Sequence, residues 1–351
     1  MKICYISVVK PIYPRDISVL DGLKKLGIEV YELYDDSPHL KKIWRLWKRH
    51  REIKNRYDFI IIGYTGYVLI PFFRFFTRKR IIFNALCSLY EGCIISRGEK
   101  RIRKKIYFSL IDFIAFHFSS MVSVESDSQK EFIAKRYFLK KTKIITVRTG
   151  TIDNYFLYDP KVEKNKIFTV LFRGNLMPES GIQHAIEAAI ILKNRADIKF
   201  KILGNGNNYW NEKVSRMINE NSLDNVDWIK DKLSFEELKY RMLQSHLSLG
   251  QLGNHSRLAR TIPHKVFDSL ALKIPILTAR NKAVLELLEE NATCFCFNPA
   301  DSKDLARKIL EIKDQTQLRE DVRERAYKLY KENLTSKTLA KKLIDLITKA
   351  K

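Results

Sequence analysis

Acidic side chains are in short supply in this chain: 40 Asp and Glu against 64 Lys and Arg over 351 residues leave a formal net charge of +24. Glycine (13) and proline (9) are modest, and no repeat or low-complexity tract breaks the sequence, which leaves a globular chain long enough for two domains with full cores. The five cysteines, Cys4, Cys87, Cys93, Cys294 and Cys296, lack the spacing of a zinc site, and their odd number argues for reduced, buried thiols in a cytoplasmic setting. Cys294 and Cys296 stand two apart on a predicted strand, where a shared face means packing rather than chemistry. No unbroken apolar run is long enough to span a bilayer. The richest, 59–76, is interrupted by Gly63, Tyr64, Thr65, Gly66, Pro71 and Arg74, and reads as strand, glycine turn and short helix. The opening KICYISVV is strand-like and carries no cleavable signal pattern, so a cytoplasmic location is expected.

What is present is a rhythm. In the first half, predicted strands at 3–9, 29–33, 58–62, 80–83, 121–124 and 143–147 alternate with helices at 18–26, 106–118 and 128–137. That alternation predicts an α/β fold with a parallel, doubly wound sheet. The densest signal lies in the second half, in two segments about ninety residues apart. IFTVLFRGNLMPESGIQHAIEAAIIL is an apolar strand, a glycine, a Pro-Glu-Ser-Gly turn and a long helix. TIPHKVFDSLALKIPILTA is a basic turn, a helix, a tight turn and a buried strand. Both put flexible or polar residues where a strand gives way to a helix, and free N–H groups at such a junction favour phosphate. A nucleoside diphosphate compound is the expected ligand.

In order, the second half shows Phe172-Arg-Gly174-Asn-Leu176-Met-Pro178-Glu179-Ser-Gly181, then Gly204-Asn-Gly206 after a strand, then Lys265-Val-Phe-Asp268-Ser-Leu-Ala271-Leu-Lys-Ile-Pro275, then Glu286. This ordered set resembles the C-terminal domain of the large retaining nucleotide-sugar glycosyltransferase family numbered four. The stretch from Arg148 through Gly150 and Asp153 to Phe156 is similar to that family's end-of-domain turn. The resemblance implies two Rossmann-like domains facing across a cleft, the GT-B architecture: 1–160 for the acceptor, 161–335 for the donor, and 336–351 as a helix returning to the first domain. Residues 159–166 read as the linker. It further implies sugar transfer with retention, from a nucleotide-sugar donor to a hydroxyl, without a metal or other cofactor. No Asp-x-Asp metal motif stands at a strand end.

A departing nucleoside diphosphate gathers negative charge, so its site must offer cations or oriented N–H groups. By the resemblance, Lys265 contacts the diphosphate, with His264 beside it, and Asp268 accepts hydrogen bonds from the ribose. Gly204 and Gly206 either let the backbone approach the nucleotide or form a simple tight turn. The chain also departs from the family pattern. Arg260 stands where a glutamate is usual, eight residues before Asp268, and Asn175 and Ser180 replace a basic pair. Cationic duty is therefore expected of Arg173, Arg257 and Arg260, around Gly174 and Asn175. The family's glycine-rich first loop is replaced by KPIYPRD, and its N-terminal histidine is missing. Asn84, Ser88 and Glu91 remain as acceptor-side polar groups, and no general base can be named.

Residues 1–160 carry 30 basic against 16 acidic side chains, a net +14, clustered at 41–56 and 97–105 among aromatic stretches. As a helix, 41–56 aligns Ile43, Leu46, Trp47, His50, Ile53 and Tyr57 on one face, with Trp44 beside it. An anionic bilayer surface ranks first as its partner. Ordinary core under solvated charges ranks second, and nucleic acid last, since no nucleic-acid motif accompanies the charges. The expectation is a glycosyltransferase peripheral to the inner membrane face, acting on a lipid-linked or polysaccharide acceptor of the cell envelope. The alternatives are a non-catalytic GT-B partner protein and a basic nucleic-acid-binding protein.

Overall fold

The computed structural model describes residues 1–38 and 41–349. Two compact units emerge, one from Met1–Ile152 together with the segment from Leu334, the other from Asp153–Asn333. The break therefore falls at Ile152–Asp153, ahead of the boundary expected at residue 160. The expected linker 159–166 lies inside the second unit, where Lys164 Nζ bonds the carbonyls of Leu243 and Ser245 at 2.8 and 2.7 Å. Residues 350 and 351 of the expected terminal segment lie outside the described residues.

The first unit runs β1 (Lys2–Ile6), α1 (Pro14–Lys25), β2 (Glu29–Leu33), α2 (Lys41–Ile53), β3 (Phe59–Ile62), α3 (Leu69–Phe76), β4 (Ile81–Asn84), α4 (Ile102–Phe118), β5 (Met121–Val124), α5 (Asp127–Arg136) and β6 (Ile144–Thr146). The second runs β7 (Phe168–Arg173), α6 (Ile182–Ile191), β8 (Ile198–Leu203), α7 (Asn208–Glu220), β9 (Val226–Ile229), α8 (Phe235–Leu243), β10 (Leu247–Leu249), α9 (His264–Ala271), β11 (Ile276–Ala279), α10 (Lys282–Leu285), β12 (Phe295–Phe297), α11 (Ser302–Asp314) and α12 (Thr316–Asn333). Helix α13 (Ser336–Lys349) completes the first unit. Central strands such as FIII of β3 and MVSV of β5 are buried throughout, as parallel strands covered on both faces must be. Cys294 and Cys296 are buried and unbridged beside and within β12, their sulfurs 3.9 Å apart.

Each sheet has six parallel strands. The first is ordered β2-β1-β3-β4-β5-β6 and the second β12-β11-β10-β7-β8-β9. Strand order reverses between β1 and β3 in one and between β7 and β10 in the other. In open α/β sheets such a reversal opens a crevice at the carboxyl ends of the two strands, and ligands bind there.

Two expectations for the first unit are corrected. Helix α1 begins at Pro14, inside the stretch expected to be a loop, because Pro is preorganised for a first helical turn. That places Arg15 and Asp16 in the interior. Arg15 donates to Asn84 Oδ1, the Val147 carbonyl and Ser123 Oγ, each at 2.9 Å, while Asp16 accepts from Asn84 Nδ2 at 2.9 Å and the Tyr64 amide at 3.1 Å. Asn84 is thus a core strut rather than an acceptor-facing group. The same holds for Ser88 and Glu91, both fully buried: Glu91 accepts from the Ser88 hydroxyl at 3.1 Å and from Gln129. Burial pairs these groups with each other. On α2, Leu46 and His50 are buried and Ile43 and Ile53 pack on the core, so its apolar face is largely internal. Trp44 remains half-exposed and stacks on Trp47.

Helix α13 lies against α1 so closely that Gly22 fits only as glycine, since a Cβ there would collide with the Ser336 carbonyl oxygen. Around that contact, Ser336 Oγ donates to Asp21 at 2.6 Å, and Leu339, Ala340, Leu343 and Ile347 are buried. Gly22→Ala is expected to lower stability by about 1–3 kcal/mol through overpacking. Thermal unfolding with limited proteolysis checks this: α13 should be cleaved earlier in the variant than in the parent.

Candidate functional site

Two cavities adjoin the carboxyl ends of the strands in the second unit and share Arg173, Gly174 and Asn175. The first, about 310 Å³, is further lined by Met177, Glu179, Ser180, Gln251, Arg257, Leu258, Thr261 and Pro263 to Lys265. The second, about 400 Å³, is walled by Leu203, Gly204, Asn205, the segment 230–233 and Leu238. Arg173 ends β7, Gly174 and Asn175 follow it, and Gln251 lies just past β10, so the cavities open at the point where strand order reverses.

Strand β7 is buried through Phe172, which makes Arg173 its first side chain to reach the crevice. Its guanidinium pairs with Asp268 and lies 5.2 Å from the Phe156 ring. Asp268 is wholly buried on α9, one helical turn after His264, whose Nδ1 lies 3.2 Å from the same carboxylate. His264 Nε2 is buried and has no hydrogen-bond partner.

Lys265 sits in the first turn of α9, which Pro263 precedes and no side chain caps. Its Nζ is buried 4.2 Å from the centroid of Phe172 and has no hydrogen-bond partner. Burial, reinforced by the nearby positive charge of Arg173, pushes its pKa down to about 7. Both amide atoms of Gln251 are likewise buried and unpartnered. Buried polar groups are nearly always paired in folded proteins, and each exception costs about 1–3 kcal/mol. Three side chains lining one cavity therefore wait for a polar occupant, and the amino end of a helix adds positive potential.

Of the residues singled out from sequence, Arg173, Gly174, Asn175, Arg257, His264 and Lys265 line the first cavity, and Gly204 lines the second with Arg173–Asn175. Arg257 already has an acidic neighbour, Glu179, at 3.4 Å. Gly206, Arg260, Asp268 and Glu286 line neither cavity. Asp268 is placed as the shared partner of Arg173 and His264 rather than toward a ribose, because its carboxylate is wholly enclosed. Gly204 answers a backbone constraint: a Cβ would collide with the carbonyl of Gly174, where the loops after β7 and β8 meet. Gln251 was missed, for it belongs to no motif. Among the described residues no group of three His, Cys, Asp or Glu could hold a metal ion, and no helix is long and apolar enough to cross a membrane.

The Lys265 amine gives the empty site a pH signature. Between about pH 7 and the ordinary lysine value of 10.5 the unfolded chain holds this proton and the folded one does not, so stability attributable to Lys265 rises with pH across that window. Lys265→Met should abolish that part of the rise and make the protein more stable than the parent below pH 7. Denaturant unfolding of both proteins at pH 6 and pH 9 checks it.

Residues 157–329 match the family described as glycosyl transferases group 1. No curated protein sequence gives a significant match. Among solved structures, Anabaena HepE in complex with UDP superposes with a TM-score of 0.76 at 14% identity, covering 99% of this chain and 100% of that one. Sucrose-phosphate synthase from Thermosynechococcus elongatus gives 0.78 at 13% identity, over 99% and 98% of the two chains. A glycosyltransferase from Rickettsia africae gives 0.71 at 15%, again over 99% and 98%. At these identities the structures speak for the fold, and the family match speaks for the activity: this chain is a glycosyltransferase of the GT-B fold whose second unit is built on a group 1 glycosyltransferase domain.

Proposed function

We propose that the protein transfers a sugar, with retention, from a nucleoside diphosphate sugar held in the second unit to a hydroxyl of a lipid-linked or polysaccharide acceptor. The observation that carries this reading is the buried Lys265 ammonium group without a counter-charge, at the open amino end of α9 and at the strand-order reversal. A diphosphate supplies the missing anion. Lys265, Arg173 and the first N–H groups of α9 would stabilise the charge that builds on the leaving phosphate, which is the task a metal performs elsewhere. The second cavity, with Leu203, Leu233 and Leu238 as apolar walls and Asn205, Lys230 and Asp231 at the edge, suits a nucleobase. Anabaena HepE, similar in fold, is crystallised with UDP and with UDP-glucose, which makes uridine the first base to try.

The acceptor side of the proposal rests on the surface of the first unit. Along α4, Ile102, Ile106, Leu110 and Phe113 recur at helical spacing and are between 41% and 71% exposed. Phe118 at the end of α4 continues the stripe to Phe75 on α3, 6.1 Å away, which is 76% exposed. Arg101, Arg103, Lys104 and Lys105 crowd its amino end. Apolar side chains to insert and cations to meet phosphates are what the surface of an anionic bilayer attracts. A lipid-linked acceptor, and residence on the inner membrane face, follow from that reading.

A thermal-shift panel with UDP, GDP, ADP and CMP should give a selective rise with one nucleoside diphosphate, and silence from all four would sink the donor site. Binding of that diphosphate at pH 8 should take up protons, because the anion favours the charged form of Lys265. Calorimetry in two buffers of different ionisation enthalpy reads this directly. Lys265→Met should lose the uptake and roughly 10- to 100-fold in affinity, as befits a charge-assisted hydrogen bond. For the surface, replacing both Ile106 and Leu110 by Asp should abolish sedimentation with phosphatidylglycerol vesicles and spare turnover of a soluble acceptor analogue. Unchanged sedimentation would remove α4 from the membrane contact.

A further inference from the structure

We propose that Gln251 reads the hydroxyl groups of the transferred sugar and sets which sugar the donor site accepts. This rests on the donor reading above. Gln251 stands two residues past β10 at the strand-order reversal, is 3% exposed, and lines the first cavity together with Arg173–Asn175. Its backbone is clamped on the neighbouring strand: its amide donates to Thr278 Oγ1 at 3.1 Å, and its carbonyl accepts from the Ala279 amide at 2.7 Å. The Cα is therefore fixed, and only the side-chain amide remains to be matched.

The chemistry of the unpartnered atoms distinguishes the parts of a nucleotide sugar. Ionised phosphate oxygens accept hydrogen bonds and donate none, so they satisfy Lys265 Nζ and the N–H groups of α9. They cannot satisfy Gln251 Oε1, which is an acceptor. An occupant that pairs every orphan must bring donors as well as acceptors into the same cavity as the phosphates. Sugar hydroxyls do both at once, and a primary amide beside a hydroxyl can give and receive through its two arms. Gln251 then faces the sugar while Lys265 faces the phosphate. A pocket built on paired hydroxyls rejects analogues that lack one, because its own polar groups are left unsatisfied.

The test separates this inference from the reading beneath it. Dissociation constants are measured by calorimetry for UDP and UDP-glucose, and for GDP and GDP-mannose, on the parent, Gln251→Leu and Gln251→Glu. Gln251→Leu, which replaces an unpaired amide with an apolar side chain, should fold with an unchanged or higher melting temperature. It should bind the nucleoside diphosphate as the parent does and bind its sugar ester about 10-fold or more weakly. Gln251→Glu, which keeps the acceptor arm, should retain part of the sugar-dependent gain. An equal loss for the diphosphate and its ester would put Gln251 on the nucleoside, and no loss for either would remove it from the site. Both outcomes overturn the inference and leave the donor site standing. Failure of the parent to bind any of the four ligands would overturn both.

Discussion

The second unit is organised around a shortage of negative charge. Asp268 is the carboxylate enclosed on α9, and it is shared by two basic neighbours, the Arg173 guanidinium and the His264 ring. Lys265, one residue along from His264, is left with a benzene face and no anion. A buried amine without a partner is among the more costly arrangements in a folded chain, and such perturbed groups cluster at functional sites. The geometry of the site follows from that imbalance. Asp268 holds Arg173 in the crevice by its pairing, α9 presents its amino end, and the strand-order reversal provides room. With Arg257 near Glu179 and Arg173 paired with Asp268, Lys265 remains a cavity-lining cation without an anion.

Much of this was legible in the sequence, and the reason is local. The run Phe172-Arg-Gly174 through Gly181 encodes a strand end and a turn within ten residues, and His264-Lys265 at a helix start is likewise a short-range pattern. Ten predicted strands alternating with helices announced the doubly wound sheets, while the short β9 and β10 went unread. What escaped the sequence is non-local. Asn84, Ser88 and Glu91 looked like free polar groups at a strand end because their partners lie far along the chain: Arg15 is 69 residues from Asn84 and Gln129 is 38 from Glu91. Asp268 drew a ribose role from the family resemblance, while its complete enclosure is a property of the packed helix. Gln251 carried no signal at all, since what distinguishes it is two hydrogen-bonding atoms without partners. The amphipathic face of α2 pointed to a membrane, yet Leu46 and His50 turn inward, and the exposed apolar stripe stands on α4 instead.

The two units also differ in how their interiors tolerate polarity. In the first, the strand ends are laced by neutral and paired groups that satisfy one another: Arg15 reaches three acceptors, and Asp16 meets Asn84 and the Tyr64 amide. In the second, the corresponding crevice keeps unsatisfied atoms on Lys265, His264 and Gln251. One end is closed as a structural joint and the other keeps buried polar atoms unpaired, on sheets of the same size and sense. That contrast, rather than the fold they share, is what supports the proposal of a donor site in the second unit.

Helix α13 has a consequence for how the molecule comes into being. Its buried residues complete the surface of α1, yet more than three hundred residues separate Gly22 from Ser336, and the whole of 153–333 is synthesised between them. On the ribosome the second unit has all of its sequence before the first does, although the first begins to emerge earlier. Until α13 leaves the exit tunnel, the face of α1 around Gly22 stays bare. The nascent chain therefore carries an unfinished apolar surface for most of its synthesis, and a chaperone has its longest opportunity there.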